Sequence, residues 1–276
     1  EGGCDLILIE TVFDTLNAKA AGYGVLEAFD AAGVELPLMI SGTITDKSGR
    51  NLSGQTPAAF WYSVRHLRPL AVGLNCAFGA EHLRPAVAEM SQLADCYVLA
   101  YPNAGLPNAL GEYDETPHEM GCKIEEWARD GLVNIVGGCC GTTPDHIRTI
   151  AQMAEGKRPR GPQTRRQRAL YSGIDLVEAE DSNRPLLVGE RTNVIGSKLF
   201  RDLVAQENWE EATEIARWQV KNGAHIVDVC LQSTDRDERN DIPPFYEKLI
   251  RKVKAPIMID TTDPVALELS LTYCQG

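Results

Sequence analysis

The chain has 276 residues, 43% of them hydrophobic and 24% charged, which is the composition of a globular protein and excludes a collagen-like, mucin-like or largely disordered chain. The longest apolar runs, Leu6 to Ile9 and Leu132 to Val136, fall far short of the ~20 residues a membrane-spanning helix needs, so no membrane partner is expected. The net charge of −12, from 39 acidic against 27 basic side chains, disfavours an electrostatic grip on nucleic acid.

Along the chain, short β-branched apolar runs alternate with amphipathic stretches, the pattern of βα units around a parallel sheet. The expected strands are 5–10, 37–44, 70–75, 96–100, 133–137, 186–189, 225–229 and 256–260. Four of the following helices open with a cap residue and then proline: Thr56-Pro57, Thr116-Pro117, Thr143-Pro144 and Asp263-Pro264. Proline fits a first helical turn, where its missing N–H has no intrahelical partner, while Thr or Asp accepts a bond from a free amide.

Eight strands in this length would suit one closed (β/α)8 barrel. The middle of the chain argues against it. Between Gly156 and Ala169 stand Lys157, Arg158, Arg160, Arg165, Arg166 and Arg168, with Pro159 and Pro162 and no acidic residue. Such a stretch has little to bury and reads as a solvated linker that separates five strands from three. The expected organisation is a domain over 1–155, a basic linker over 156–184 and a second domain over 185–276.

The strongest chemical signal is Gly137-Gly138-Cys139-Cys140-Gly141-Thr142 at a strand end. Adjacent side chains of an extended strand point to opposite faces, so two neighbouring cysteines share one partner only where the backbone leaves β geometry, which the flanking glycines permit. A second strand ends in Gly73-Leu74-Asn75-Cys76, and parallel strands gather their C-terminal ends on one rim. Cys76, Cys139 and Cys140 can therefore meet. Three thiolates make a good Zn²⁺ site with one tetrahedral position open for substrate; buried thiols or a strained vicinal disulfide are the other readings of the same spacing. Eight cysteines in a chain of this length read as thiols of a reducing, cytoplasmic compartment, and Cys4, Cys96, Cys122, Cys230 and Cys274 as small core residues.

The segments Leu8-Ile9-Glu10-Thr11, Ser41 to Asp46, Gly73 to Cys76, Tyr101-Pro102-Asn103-Ala104-Gly105 and Gly137 to Thr142 resemble, in order, the homocysteine S-methyltransferase barrel. Gly189-Glu190-Arg191-Thr192-Asn193, Ile226-Val227-Asp228-Val229 and Ile259-Asp260-Thr261-Thr262 resemble the pterin-binding barrel of methyltetrahydrofolate methyltransferases. Both in this order resemble the cobalamin-dependent methionine synthase family. The resemblance implies an α/β fold made of parts of two TIM (β/α)8 barrels, the C-terminal five strands of the first and the N-terminal three of the second. It implies a chain truncated at both ends, inactive by itself, whose cobalamin-binding module lies outside it.

The implied reaction moves a methyl group from 5-methyltetrahydrofolate through cobalamin to homocysteine activated by Zn²⁺ on Cys76, Cys139 and Cys140. Only thiolate is nucleophilic, which is what the metal would supply. The resemblance makes Glu10 the carboxylate that holds the homocysteine ammonium group, and Asn193 and Asp260 the catalytic pterin contacts, with Glu190 and Asp228 beside them on the rim. Without the resemblance, Glu10 is a surface carboxylate and Glu190 a rim partner of Arg191. Where the family carries Asn after Asp-Val, this chain has Cys230, expected to be packing. The alternatives are a cobalamin-independent zinc methyltransferase using S-methylmethionine or betaine, and a non-catalytic metal-binding fragment.

Overall fold

A computed structural model describes residues 2–164 and 170–276. Arg165, Arg166 and Arg168 of the basic run lie outside the described residues. The chain divides into two compact units, Glu1–Gln167 and Arg168–Gly276. Among the described residues no helix is long and apolar enough to cross a membrane.

The first unit alternates strand and helix throughout: β1 (Ile7–Val12), α1 (Thr15–Ala32), β2 (Leu38–Gly42), α2 (Pro57–Val64), β3 (Ala71–Gly79), α3 (Ala80–Leu93), β4 (Tyr97–Asn103), α4 (Pro117–Arg129), β5 (Ile135–Val136) and α5 (Pro144–Ala154). The five strands form one sheet in the order β1-β2-β3-β4-β5, every neighbouring pair parallel. Sequential order and parallel pairing follow from the helical crossovers, each of which returns the chain to the same end of the sheet. All five C-terminal strand ends therefore lie along one edge. The core is Ile40, Val72, Leu74 and Val98 of the strands against Phe60, Trp61, Leu83, Met90, Ile124 and Trp127 of the helices.

The Thr-Pro helix starts are where capping requires them. Thr56 accepts a bond from the Ala59 amide at 3.1 Å. Thr116 and Glu119 form a reciprocal capping box, with the Thr116 amide donating to Glu119 Oε2 at 2.9 Å. At the start of α5, the Thr143 amide donates to Nδ1 of buried His146, whose Nε2 stands 2.9 Å from the Glu115 carbonyl. An acceptor at Nδ1 makes Nε2 the protonated nitrogen.

The strand bounds shift from the expected ones, most at the ends of β3 and of the strand Val188–Asn193, and β5 is shortened. β3 runs to Gly79 rather than ending near Asn75, because the register with β4 breaks between Asn75 and Gly79. Cys76 and Ala77 fill that break in left-handed conformations, with φ of 63° and 60°. β5 keeps only two residues, since the chain leaves extended geometry at Gly137.

The second unit opens with an antiparallel hairpin, β6 (Leu170–Ser172) and β7 (Leu176–Glu178). It continues through β8 (Val188–Asn193), α6 (Lys198–Ala205), α7 (Trp209–Lys221), β9 (Ile226–Cys230), α8 (Glu238–Lys252), β10 (Ile257–Ile259) and α9 (Pro264–Leu271). β8, β9 and β10 form a separate parallel sheet with β9 in the centre. Its core joins Val227 and Val229 to Phe200, Ala216, Phe245, Tyr246 and Leu249. The hairpin turn packs on this unit, the Ile174 amide donating to the Lys254 carbonyl at 3.0 Å.

The expectation of a solvated linker over 156–184 needs correction at both of its described ends. Arg160 is only 4% exposed. Its guanidinium donates to the carbonyls of Ser91 (2.7 Å from Nη2), Ala94 (2.5 Å) and Cys96 (2.8 Å), and Nε also meets Ser91 Oγ at 3.0 Å. These carbonyls end α3 and lead into β4; Ala94 also accepts the Gln163 amide at 3.2 Å, and the charged fork of donors satisfies the rest. Lys157 pairs with Glu125 at 2.7 Å. At the other end, 170–178 forms the hairpin, whose three-residue strands are too short to show periodicity in the sequence.

Candidate functional site

The C-terminal edge of the first sheet brings four chain segments together. Cys76 follows the buried part of β3, and Cys139 and Cys140 follow β5. Their sulfurs converge: Cys76 to Cys140 is 3.6 Å, Cys139 to Cys140 is 4.0 Å, and all three lie within 4.8 Å of one another. The vicinal pair shares one side because the chain after Gly138 is not extended. The Cys139 amide donates to the Pro102 carbonyl at 2.8 Å, and the Ala104 amide donates to the Cys140 carbonyl at 2.9 Å, locking the loop onto the end of β4. Thr142 closes the turn by donating its hydroxyl to the Cys139 carbonyl at 2.6 Å. Gly141, at φ +80°, lies so close to Tyr113 that a Cβ there would stand 2.3 Å from the tyrosine's own.

No disulfide links any of the eight cysteines. Burial, followed by the neighbouring Cys76 sulfur, pushes the Cys139 thiol up to about 12. A cluster of this kind stays protonated until a cation compensates the thiolate charge, and three soft donors suit Zn²⁺. Tyr113 is held above its ordinary range by desolvation and then by Cys140, to which it is hydrogen-bonded.

Glu10 lies on β1 at the same edge, exposed, with its Oε2 accepting from the Tyr101 hydroxyl at 3.3 Å. Burial, above all, raises the Tyr101 phenol, so it remains a donor to that carboxylate. Two asparagines that sequence reasoning assigned no role stand beneath the sulfurs. Asn103 Oδ1 accepts the Cys140 amide at 3.1 Å, and Asn75 Nδ2 approaches Cys139 Sγ at 3.9 Å. The signal available was a fully polar side chain ending an otherwise apolar buried strand, Ala71 to Leu74.

The second sheet carries a cluster of its own at the corresponding edge. Asn193 is buried at the end of β8; its Oδ1 accepts the amides of Ile195 and Gly196 at 2.9 Å each, and its side chain is hydrogen-bonded to Asp228. Asp228, on β9, is 6% exposed, and its Oδ2 has no hydrogen-bond partner among the described residues. Burial raises its pKa, the charges of Asp260 and Glu190 raise it further, and only Asn193 opposes them. Asp260, after β10, is exposed and hydrogen-bonded to Cys230, a thiol that burial pushes up to about 11. Cys230 is thus buried as expected of a packing residue, and it also touches the rim.

Glu190 is exposed and makes no ion pair with Arg191 among the described residues; the Arg191 amide is taken instead by Gln219 Oε1 at 2.6 Å. Of the thiols expected in the core, Cys274 is buried, Cys96 and Cys122 are half-buried and Cys4 is exposed.

The family comparison divides the chain as the two sheets do. Residues 1–154 match the model of the homocysteine S-methyltransferase family, and residues 189–276 match that of the pterin binding enzymes. The pair supports a role in methyl transfer involving homocysteine and a folate. Because the first match alone spans more than half of its 276 residues, the chain belongs to the homocysteine S-methyltransferase family.

Proposed function

We propose that this chain holds the homocysteine and folate sites of a cobalamin-dependent methionine synthase, its two sheets being the C-terminal five strands of one TIM barrel and the N-terminal three of another. The observation that carries this reading is the convergence of Cys76, Cys139 and Cys140 beside Glu10 on one sheet edge. The pterin-family match in the following unit supports it.

The donor set fits zinc: three sulfurs within reach of one point leave room for a substrate sulfur as the remaining ligand. Cys76, Cys139 and Cys140 would hold the ion, whose positive charge would favour the thiolate form of homocysteine at neutral pH. Glu10 binds the substrate ammonium group, with Tyr101 fixing the carboxylate.

In the second unit the unpartnered Oδ2 of Asp228 accepts from the donor edge of a pterin ring, while Asn193 and Asp260 orient that ring. Methyl transfer from N5 requires that nitrogen to be protonated at some stage, and this hydrogen-bonded carboxyl cluster holds a proton nearby. Cobalamin would serve as the acceptor of that methyl group. A cobalamin-independent transfer from S-methylmethionine or betaine needs the first unit alone and leaves the pterin match without a role.

The test measures zinc in the purified chain and its affinity for 5-methyltetrahydrofolate by equilibrium dialysis. About one zinc per chain, lost in Cys140→Ser, and folate binding weakened in Asp260→Asn support the reading. Unchanged zinc in Cys140→Ser, or folate affinity indifferent to Asp260, overturns it.

A further inference from the structure

Asn75 is fully buried between the Glu10 strand and the cysteine cluster, and every hydrogen-bonding capacity of its carboxamide is used. Oδ1 accepts from the Thr11 amide at 3.2 Å and from Ser41 Oγ at 2.7 Å. Nδ2 donates to Thr11 Oγ1 at 2.9 Å and to Cys139 Sγ at 3.9 Å. An asparagine offers two donors and one oxygen with two lone pairs, so this set is complete. The orientation is forced. The Thr11 amide can only donate, so the atom facing it must be the oxygen, which turns the NH₂ group toward Cys139.

Two backbone features meet at this side chain. Thr11, the residue after Glu10, is left-handed at φ 56°, and Cys76, the residue after Asn75, is left-handed at φ 63°. Non-glycine residues hold such conformations only where the surroundings over-determine them. The bonds from Asn75 to both the amide and the hydroxyl of Thr11 supply that constraint on β1. Ser41 gives its one hydroxyl proton to Asn75, and Tyr101 gives its own to Glu10. Hydrogen bonds of Asn75 therefore reach Thr11, beside Glu10, on one side and the Cys139 sulfur on the other.

We propose that Asn75 is the positioning residue that fixes the metal-binding sulfurs relative to the ammonium-binding carboxylate, by donating an N–H···S bond to Cys139 while clamping Thr11 beside Glu10. This rests on the metal-site reading above. An N–H donor to a thiolate drains charge from the sulfur and fixes its direction, and residues of this kind contribute about 10- to 100-fold to metal affinity. Asn75 touches neither the metal nor the substrate and acts through the groups that do.

The decisive measurement needs no substitution. In the full chain loaded with ¹¹³Cd and labelled with ¹⁵N, a through-bond cross-peak between cadmium and the Asn75 side-chain amide protons is expected, since scalar coupling passes through an N–H···S–metal path. Its absence in loaded protein overturns the proposal. Asn75→Asp keeps the shape and the acceptor facing the Thr11 amide and Ser41 but loses both donors, to Cys139 Sγ and to Thr11 Oγ1, and Thr11→Val controls for the second. It should weaken zinc binding about 10- to 100-fold in chelator competition and shift the sulfur-to-metal charge-transfer band of the cobalt(II) form. Thr11→Val breaks the same hub on its other side and spares the bond to Cys139, so it should leave zinc affinity within about threefold. Equal losses in the two variants mean that Asn75 only supports the fold, and sink the proposal. A wild-type chain that takes up neither zinc nor cadmium overturns the metal-site reading itself, whereas metal binding without the cross-peak overturns the role of Asn75 alone.

Discussion

The sulfurs of Cys76 and Cys140, 64 residues apart in the chain, stand 3.6 Å from each other. Neither cysteine is near the other in local structure; parallel pairing of β3, β4 and β5 brings their strand ends to one edge. This closeness gives a direct chemical expectation. Zinc should protect Cys76, Cys139 and Cys140 together from an alkylating reagent, while exposed Cys4 keeps reacting at its metal-free rate. Peptide mass mapping of alkylated protein, with and without zinc, checks this; protection of only one member of the trio would contradict a shared ion.

Zinc affinity should rise with pH. The Cys139 thiol is pushed up to about 12 in the metal-free cluster, so binding must displace protons. Each proton released strengthens apparent binding by up to about tenfold per pH unit, and chelator competition between pH 6 and 8 measures the slope. Removing the metal should also lower the unfolding temperature of the first unit, because a ligand at 100 times its Kd stabilises by about 2.7 kcal/mol.

Asp228 should cost the second unit stability at neutral pH. Its carboxyl pKa is raised above the ordinary 3.8 in the folded protein, by burial and then by Asp260 and Glu190, against the bond from Asn193. A raised carboxyl pKa means that the folded state holds its proton more tightly, so stability is greatest at acid pH and falls as pH rises from 3.8 through the folded value. Asp228→Asn removes the charge and should raise the denaturation midpoint at pH 7, with the gain shrinking toward pH 4. The same variant should weaken 5-methyltetrahydrofolate binding, a combination of greater stability and poorer binding that marks a functional carboxylate. A variant less stable than wild type at pH 7 would count against this account.

Arg160→Ala should destabilise the first unit by roughly 3 kcal/mol, since it strips charged donors from the buried carbonyls of Ser91, Ala94 and Cys96 at once. Arg158→Ala, nearby in the same basic run, is exposed and should change stability by less than about 0.5 kcal/mol. Urea unfolding of both variants separates a structural arginine from a solvated one; equal midpoints would return the run to the status of a connector.

The sequence by itself determined what is local. Apolar runs marked the eight strands of the two parallel sheets, and the Thr-Pro and Asp-Pro pairs marked four helix starts, because a strand's burial and a cap's hydrogen bond are settled within a few residues. The vicinal Cys139-Cys140 pair between glycines was legible for the same reason. Tertiary structure decided everything that depends on a partner distant in the chain. The basic run looked solvated by composition, yet Arg160 is buried because the carbonyls that accept it come from 64 to 69 positions earlier. Asn75 looked like the polar end of an apolar strand, and only the packing of β1, β2 and the Gly138 loop around it gave its four bonds their partners. The left-handed backbone at Thr11 and Cys76 was hidden likewise, since neither residue favours that conformation alone, and at Thr11 a bond to Asn75, 64 positions away, holds it in place.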